Sequence, residues 1–171
     1  MPDIPPAGRK SAIEHYLAHA AADFLPAEHA EIVQQVLVIL NDLVFAELFA
    51  PGSRAEVPIV GRIARAGAEP ILVSGQVDRL AVTPDSVLIA DYKTDRVAPR
   101  QAAQVPEAYI RQLALYRSVL ARIYPEKTIR TALIFTETPG VIEVAGPALD
   151  TALAEIMRKN QAPEPGQVTL R

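Results

Sequence analysis

The chain contains no cysteine and no tryptophan, and only 5% of its residues are aromatic. The first absence excludes disulfides, iron–sulfur clusters, thiolate zinc sites and cysteine nucleophiles. Histidine is scarce too: His15, His19 and His29 are the only three, and all lie before residue 30. Asp, Glu and Lys are therefore left as carriers of any chemistry. Long apolar runs are missing. The longest aliphatic stretch, Val36–Leu40, is far too short to cross a bilayer, and the Pro-rich start Met1–Pro6 lacks the basic patch and apolar run of a secretory signal. A phosphate-cradling glycine loop and a Ser–His–Asp pattern are also absent, so nothing supports ATP hydrolysis or acyl transfer. His15 and His19 sit at i, i+4, but no third ligand or H-E-x-x-H pattern accompanies them, and they read as surface residues. What remains is a chain of 171 residues, half of them apolar, suited to one globular domain in a reducing compartment such as the cytoplasm.

Charge is unevenly spread. Residues 1–56 hold eight acids and three bases, whereas residues 93–130 hold eight bases and three acids, within a net charge of −3. The overall acidity gives no support for a nonspecific DNA coat. The basic third either draws in an anionic substrate, with Arg96, Arg100 and Arg111 as a wall, or covers a solvated helix face.

Hydrophobic periodicity predicts a helix over 9–22 (Ile13, Tyr16, Leu17, Ala20). A second starts at Pro26 and is ended by Pro51-Gly-Ser53, with Ile32, Val36, Ile39, Leu40, Leu43 and Val44 as its buried stripe. Strands are predicted over 54–64, 71–83 and 86–94. Pro58 marks an edge or bulge, and Thr83-Pro-Asp-Ser86 is a turn. A helix over 107–124 (Ile110, Leu113, Tyr116, Leu120 and Ile123 inward), strands over 128–136 and 141–144, a helix over 147–160 and a tail from Pro163 follow. The order implies an α/β or α+β sheet with helices on its faces. A helical N-terminal part (1–50), a motif-bearing core (54–145) and a C-terminal helix and tail (147–171) make one domain over 1–171.

The chemistry concentrates in Gly75-Gln-Val-Asp78-Arg-Leu and Ala90-Asp91-Tyr-Lys93-Thr. Pro84 forbids a two-residue primed turn, so a four-residue loop at 83–86 pairs Val82 with Val87. That register sets Leu80 opposite Ile89, Asp78 opposite Asp91 and Gln76 opposite Lys93, all on one face. Ala81, Leu88, Ala90, Val77 and Tyr92 take the other. Opposed carboxylates lie ~5 Å apart at Cβ and repel, unless one takes up a proton or a divalent cation sits between them. Mg²⁺ accepts one or two carboxylates and keeps its waters. Lys93, ~6.5 Å along the strand from Asp91, suits the orientation of a water or the offset of phosphorane charge. The competing reading is a solvated Asp–Lys ladder. Tyr109, Gln112 and Tyr116 share a helix face. Glu56, on the preceding strand, is a further carboxylate or an exposed edge acid.

These segments, with Gln112-Leu-Ala-Leu-Tyr116, Gly52-Ser-Arg-Ala-Glu56-Val-Pro and Ile123-Tyr-Pro125, resemble the successive motifs of the RecB-type branch of PD-(D/E)XK nucleases. Within it they are most like the C-terminal nuclease domain of AddA-type helicase–nucleases, over about residues 9–145. The resemblance implies an α/β, restriction-endonuclease-like fold, a mixed central sheet flanked by helices. It implies Mg²⁺-dependent phosphodiester hydrolysis (Mn²⁺ substituting) on single-stranded DNA ends, in double-strand-break repair with an AddB-like partner. It assigns the cation to Asp78, Asp91 and the backbone carbonyl of Tyr92, with Glu56 as a further candidate. It gives Lys93 the attack by water, and Gln112 and Tyr116 the support of the site or contact with DNA. The family's upstream R-G-x-x-x-H helix, whose His is another metal ligand, has no counterpart here, so the resemblance implies a domain that starts just past its first motif. The alternative is a catalytically silent module of the same fold that guides DNA or docks an AddB-like partner.

Overall fold

The computed structural model describes residues 4–95, 97–159 and 167–169. Helices α1 (Pro6–Ala20) and α2 (Pro26–Leu40) precede strands β1 (Arg54–Arg65), β2 (Ala68–Val82) and β3 (Ser86–Lys93). Helix α3 (Glu107–Ile123), β4 (Thr128–Phe135), β5 (Gly140–Glu143), α4 (Gly146–Lys159) and β6 (Gln167–Thr169) follow. The strands form one mixed sheet in the order β1-β2-β3-β4-β5. β3 and β4 run parallel, β6 adds to β2 in parallel, and the other neighbours are antiparallel. β1 is an edge strand, which accommodates Pro58. The stretch expected to be a tail thus contributes a strand at 167–169; its remaining residues, 163–166 and 170–171, lie outside the described residues, as does the expected helix end at Asn160.

Each face of the sheet buries its own core. Ile71, Val73, Leu80, Val87 and Ile89 pack with Leu113, Val119 and Leu120 of α3 and Leu149 and Ile156 of α4. On the other side Ala81, Leu88, Ala90 and Ile134 pack under Ile13, Leu17, Val33 and Leu40 of α1 and α2. Small residues on this second face let the helices approach closely.

Several expectations need correction. α2 stops at Leu40 and does not continue to residue 50. Asp42 Oδ1 accepts the Val44 N–H at 2.9 Å, a local bond that competes with the helical ladder. Leu43 and Val44 consequently stand exposed, and the 3-10 turn Ala46–Phe49 with Phe45 supplies the apolar contacts in their place. Tyr16 and Ile123 are also exposed, because α1 and α3 bury narrower stripes than their apolar residues allow.

The hairpin register is as the turn chemistry requires. Thr83 N donates to Ser86 O at 2.9 Å, and Ser86 N donates to Thr83 Oγ1 at 3.0 Å. Val82 pairs with Val87, Leu80 with Ile89 and Arg79 with Ala90.

Candidate active site at the open end of the hairpin

The β2–β3 ladder ends at Arg79↔Ala90, one step short of the carboxylates. β1 occupies one edge of β2 along residues 71–80, and β6 pairs the other edge at 72–74. On that second edge the stretch 75–78 therefore has no ladder partner among the described residues. Backbone donors there need other acceptors. The Gln76 N–H donates to Tyr116 Oη at 3.2 Å, and Tyr116 is fully buried on α3. Gly75 makes this approach possible, since a Cβ there would run into Tyr116 Oη. Across the gap the Tyr92 N–H donates to Asp78 Oδ2 at 2.5 Å. A side-chain carboxylate thus bridges the strands where the backbone ladder stops.

This parting displaces two expected neighbours. Gln76 does not oppose Lys93; its amide meets the Glu56 carboxylate. Val77 joins the α3-side core together with Leu80, so the alternation of β2 slips by one around Asp78. The register of β1 sets Glu56 opposite Asp78, and Glu56 has φ 53°, in the left-handed region. Backbone irregularity and acidic side chains coincide.

Asp91 is 5% exposed and forms an ion pair with Lys93. Burial raises its carboxyl above the ordinary value; the Lys93 bond and charge oppose that rise, and the Asp78 charge adds to it. Lys93 Nζ also donates to Gln112 Oε1 at 3.0 Å, and Gln112 Nε2 donates to Tyr116 Oη at 3.4 Å. The buried Gln112 is thereby satisfied on both sides. The Tyr109 ring centroid lies 4.1 Å from Lys93 Nζ, and Tyr109 Oη donates to both carboxylate oxygens of Asp95, at 2.9 and 3.1 Å. Burial followed by Asp95 raises the Tyr109 phenol, so it stays a donor at neutral pH.

The structure brings together Asp78, Asp91, Lys93, Gln112 and Tyr116. Glu56 is adjacent and exposed. The Tyr92 ring turns to the α2 side, beside Arg79. Asp95 and the bracing part of Tyr109 were missed at the sequence level. The only available signal was the spacing of Asp95, two residues past Lys93, and one carboxylate in a loop is too common to select.

The basic third is largely engaged in structure. Arg111 pairs with Glu107, Arg117 with Asp150 and Arg130 with Glu143. Arg122 donates to the Arg62 carbonyl, and Lys127 to the carbonyls of Thr83 and Pro84. Arg100 lines an open cavity of about 510 Å³ beside Asp95, while Arg96 is outside the described residues. His15 and His19 are both exposed, as their reading as surface residues requires, and His19 Nδ1 bonds the His15 carbonyl.

The donor set suits a hard divalent cation. Two carboxylates on neighbouring strands offer oxygen alone, and Asp91 is buried enough for a counter-charge to matter. Among the described residues no group of three or more His, Cys, Asp or Glu forms a cage. A cation that retains several waters fits such a site better than one needing a full protein shell.

A mixed sheet with helices on both faces, ending in Asp–(x)–Lys opposite a second Asp, defines a class of metal-assisted nucleases. The sequence matches the profile of the PD-(D/E)XK nuclease superfamily over residues 5–166, and the chain belongs to that superfamily. It is also similar to bacterial proteins named as one of the subunits of an ATP-dependent helicase/nuclease. The one from Desulforudis audaxviator is 35% identical over 79 residues, 44% of this chain and 6% of that protein. The one from Lactobacillus acidophilus is 35% identical over 78 residues (43% and 6%), and that from Oenococcus oeni 31% over 67 (39% and 6%). The chain therefore matches only about 6% of the length of these relatives.

Proposed function

We propose that this chain is a DNA nuclease domain that hydrolyses phosphodiester bonds with Mg²⁺, or Mn²⁺ in its place. We place it in a cytoplasmic AddA-type helicase–nuclease that repairs double-strand breaks with an AddB-like partner and trims single-stranded ends. One domain spans 1–171 in this reading. The observation that carries it is the junction of Asp78 and Asp91 on neighbouring strands with Lys93 bonded to Asp91, at a point where the sheet ladder stops. A structural module has no use for a buried Asp facing a second acid. The relatives' naming as parts of an ATP-dependent helicase/nuclease supports the setting. Among the described residues no helix is long and apolar enough to cross a membrane.

In this reading Asp78 and Asp91 hold the cation with the Tyr92 carbonyl, and Glu56, opposite Asp78 on β1, is a candidate for a further donor through a retained water. A bound Mg²⁺ supplies Lewis-acid polarisation of the phosphate and lowers the pKa of a water ligand. Lys93 has three donors, of which Asp91 and Gln112 engage two. The third is left for the attacking water or a phosphate oxygen, where it offsets the charge that develops as the new P–O bond forms and the ester P–O bond breaks. Gln112 and Tyr116 fix the ammonium's position, so no reorganisation is required during the reaction.

The test is digestion of end-labelled single-stranded DNA in Mg²⁺ or Mn²⁺, for wild type and Lys93→Ala. Cation-dependent cleavage by wild type that Lys93→Ala loses supports the reading. A folded wild-type chain that binds DNA and leaves it intact in both cations assigns it to the silent guiding or docking module.

A further inference from the structure

On the α2 side of the sheet an open cavity of about 400 Å³ is lined by Arg79 and Tyr92, the chain neighbours of Asp78 and Asp91. Its walls are Val36, Ile39 and Leu40 of α2, Phe49, Tyr92 and Thr136. Arg79 is its charged wall. That volume is within the range of small-ligand sites, roughly 300–1,000 Å³. Tyr92 keeps 37% of its surface exposed, so its ring is available to an incoming group.

Arg79 is the unusual member. It is only 8% exposed, and among the described residues it forms no ion pair. Buried guanidinium groups ordinarily find an anion. Its Nε and Nη2 donate to the Leu48 carbonyl, Nη2 also bonds Ser53 Oγ, and the group sits over the Phe49 ring. Those contacts explain Arg79 as a strut between β2 and the 3-10 turn. They leave Nη1 without a protein acceptor among the described residues, on a side chain that lines a cavity whose other walls are apolar except for Thr136 and the Tyr92 hydroxyl. An aromatic face beside one directed donor is the chemistry that receives a nucleobase.

Position supplies the link to the reaction. Tyr92 follows Asp91 directly and Arg79 follows Asp78, while the Tyr92 N–H is bonded to Asp78. On β3, regular alternation from Ile89 sends Asp91 to the α3 side and Tyr92 to the α2 side, and Arg79 lines the same α2-side cavity from the neighbouring strand. Each carboxylate thus has its immediate chain neighbour in the cavity wall, at the point where the β2–β3 ladder has stopped, and this adjacency ties the cavity to the cleavage site.

We infer that the cavity is a subsite for one unstacked base of single-stranded DNA, stacked on Tyr92 with an acceptor edge on Arg79 Nη1; this rests on the nuclease reading above. A base held in a duplex is stacked and paired, so the subsite favours single strands. The apolar walls of α2 exclude water from the base.

The experiment is an abasic scan without cleavage. Fluorescent eight-nucleotide oligothymidylates, one intact and the others each lacking one base, are titrated in EDTA with wild type, Tyr92→Ala and Val36→Trp. The first variant removes the stacking face and the second fills the cavity. Their opposite volume changes separate the effect from a folding defect, and thermal unfolding checks each. Wild type should lose about tenfold in affinity when one particular base is missing, the scale of one base–aromatic stack. Both variants should bind the intact oligonucleotide about tenfold more weakly and lose the penalty for the missing base. Wild type that binds every oligonucleotide alike, or none, overturns the subsite, as does a penalty that persists in both variants. Cleavage by wild type in Mg²⁺, measured separately, reads the nuclease assignment, so either can fail without the other.

Discussion

The two ends of the β2–β3 hairpin obey different rules. At the turn end Leu80, Val87 and Ile89 alternate regularly, pair in register and are sealed under α3. At the open end the ladder stops, Glu56 enters a left-handed conformation, the alternation slips, and acids meet on adjacent strands. Regular pairing at one end over-determines the fold, and that surplus holds an arrangement at the other end which repulsion alone would dismantle. Stability and reactivity are thus divided along one pair of strands, about four residues apart.

The largest expected effect separates these ends. Lys93→Ala at the open end should reduce kcat per folded molecule on the order of 10³-fold, the scale of losing one preorganised charge-stabilising group, on top of the stability lost by leaving the buried Asp91 and Gln112 Oε1 without a partner. Ile89→Ala at the turn end should destabilise by roughly 2–5 kcal/mol while activity per folded molecule persists. Steady-state kinetics and denaturant unfolding of both variants check this, and a swap of the two outcomes would break the division.

Gly75→Ala tests the hinge between the ends. The new methyl meets Tyr116 Oη, and Tyr116 is fully buried, so the ring cannot swing into solvent. We expect a cost of about 1–3 kcal/mol together with lower kcat. Displacing Tyr116 disturbs Gln112, and Gln112 holds Lys93. A stability loss with unchanged kcat would detach Tyr116 from the site.

A smaller effect follows from the Asp91 carboxyl, which burial raises above its ordinary value. Its protonated form is favoured in the folded state. The resulting stabilisation is present in acid, below the unfolded value, and is lost as pH rises through the raised one. Asp91→Asn removes that dependence. Its unfolding temperature relative to wild type should therefore climb from acid to neutral pH, in scans without divalent cation. A constant difference across that interval would show that Asp91 titrates as an ordinary carboxyl.

Much of this was legible in the residues. Pro84 and the Thr83–Ser86 turn set the hairpin register, and the register puts Asp78 toward Asp91. The helix face shared by Tyr109, Gln112 and Tyr116 is also the one turned to Lys93, with Gln112 bonded to Lys93 on one side and Tyr116 on the other. What sequence could not show was the interruption. Strand periodicity assumes a continuous ladder, so it paired Gln76 with Lys93 and put Val77 on the wrong face. It also extended α2 through Leu43 and Val44, because an apolar stripe carries no record of the Asp42 side chain capturing a backbone donor. Asp95 was invisible for a related reason: its partner, Tyr109, is brought to it by the docking of α3. Composition left the basic third open between a substrate wall and a solvated face, because the pairing of Arg111, Arg117 and Arg130 with Glu107, Asp150 and Glu143 depends on contacts beyond composition.

The central claim is that the acid pair at the open end is a divalent-cation site. Thermal unfolding of wild type, Asp78→Asn and Asp91→Asn with and without Mn²⁺ tests it most directly, without reference to cleavage. With Mn²⁺ at about 100 times its dissociation constant, wild type should gain roughly 2.7 kcal/mol, or ~5–10 °C for a chain of this size. Both variants should lose most of that gain. An equal rise in all three proteins would place the cation elsewhere and leave Asp78 and Asp91 as a structural pair.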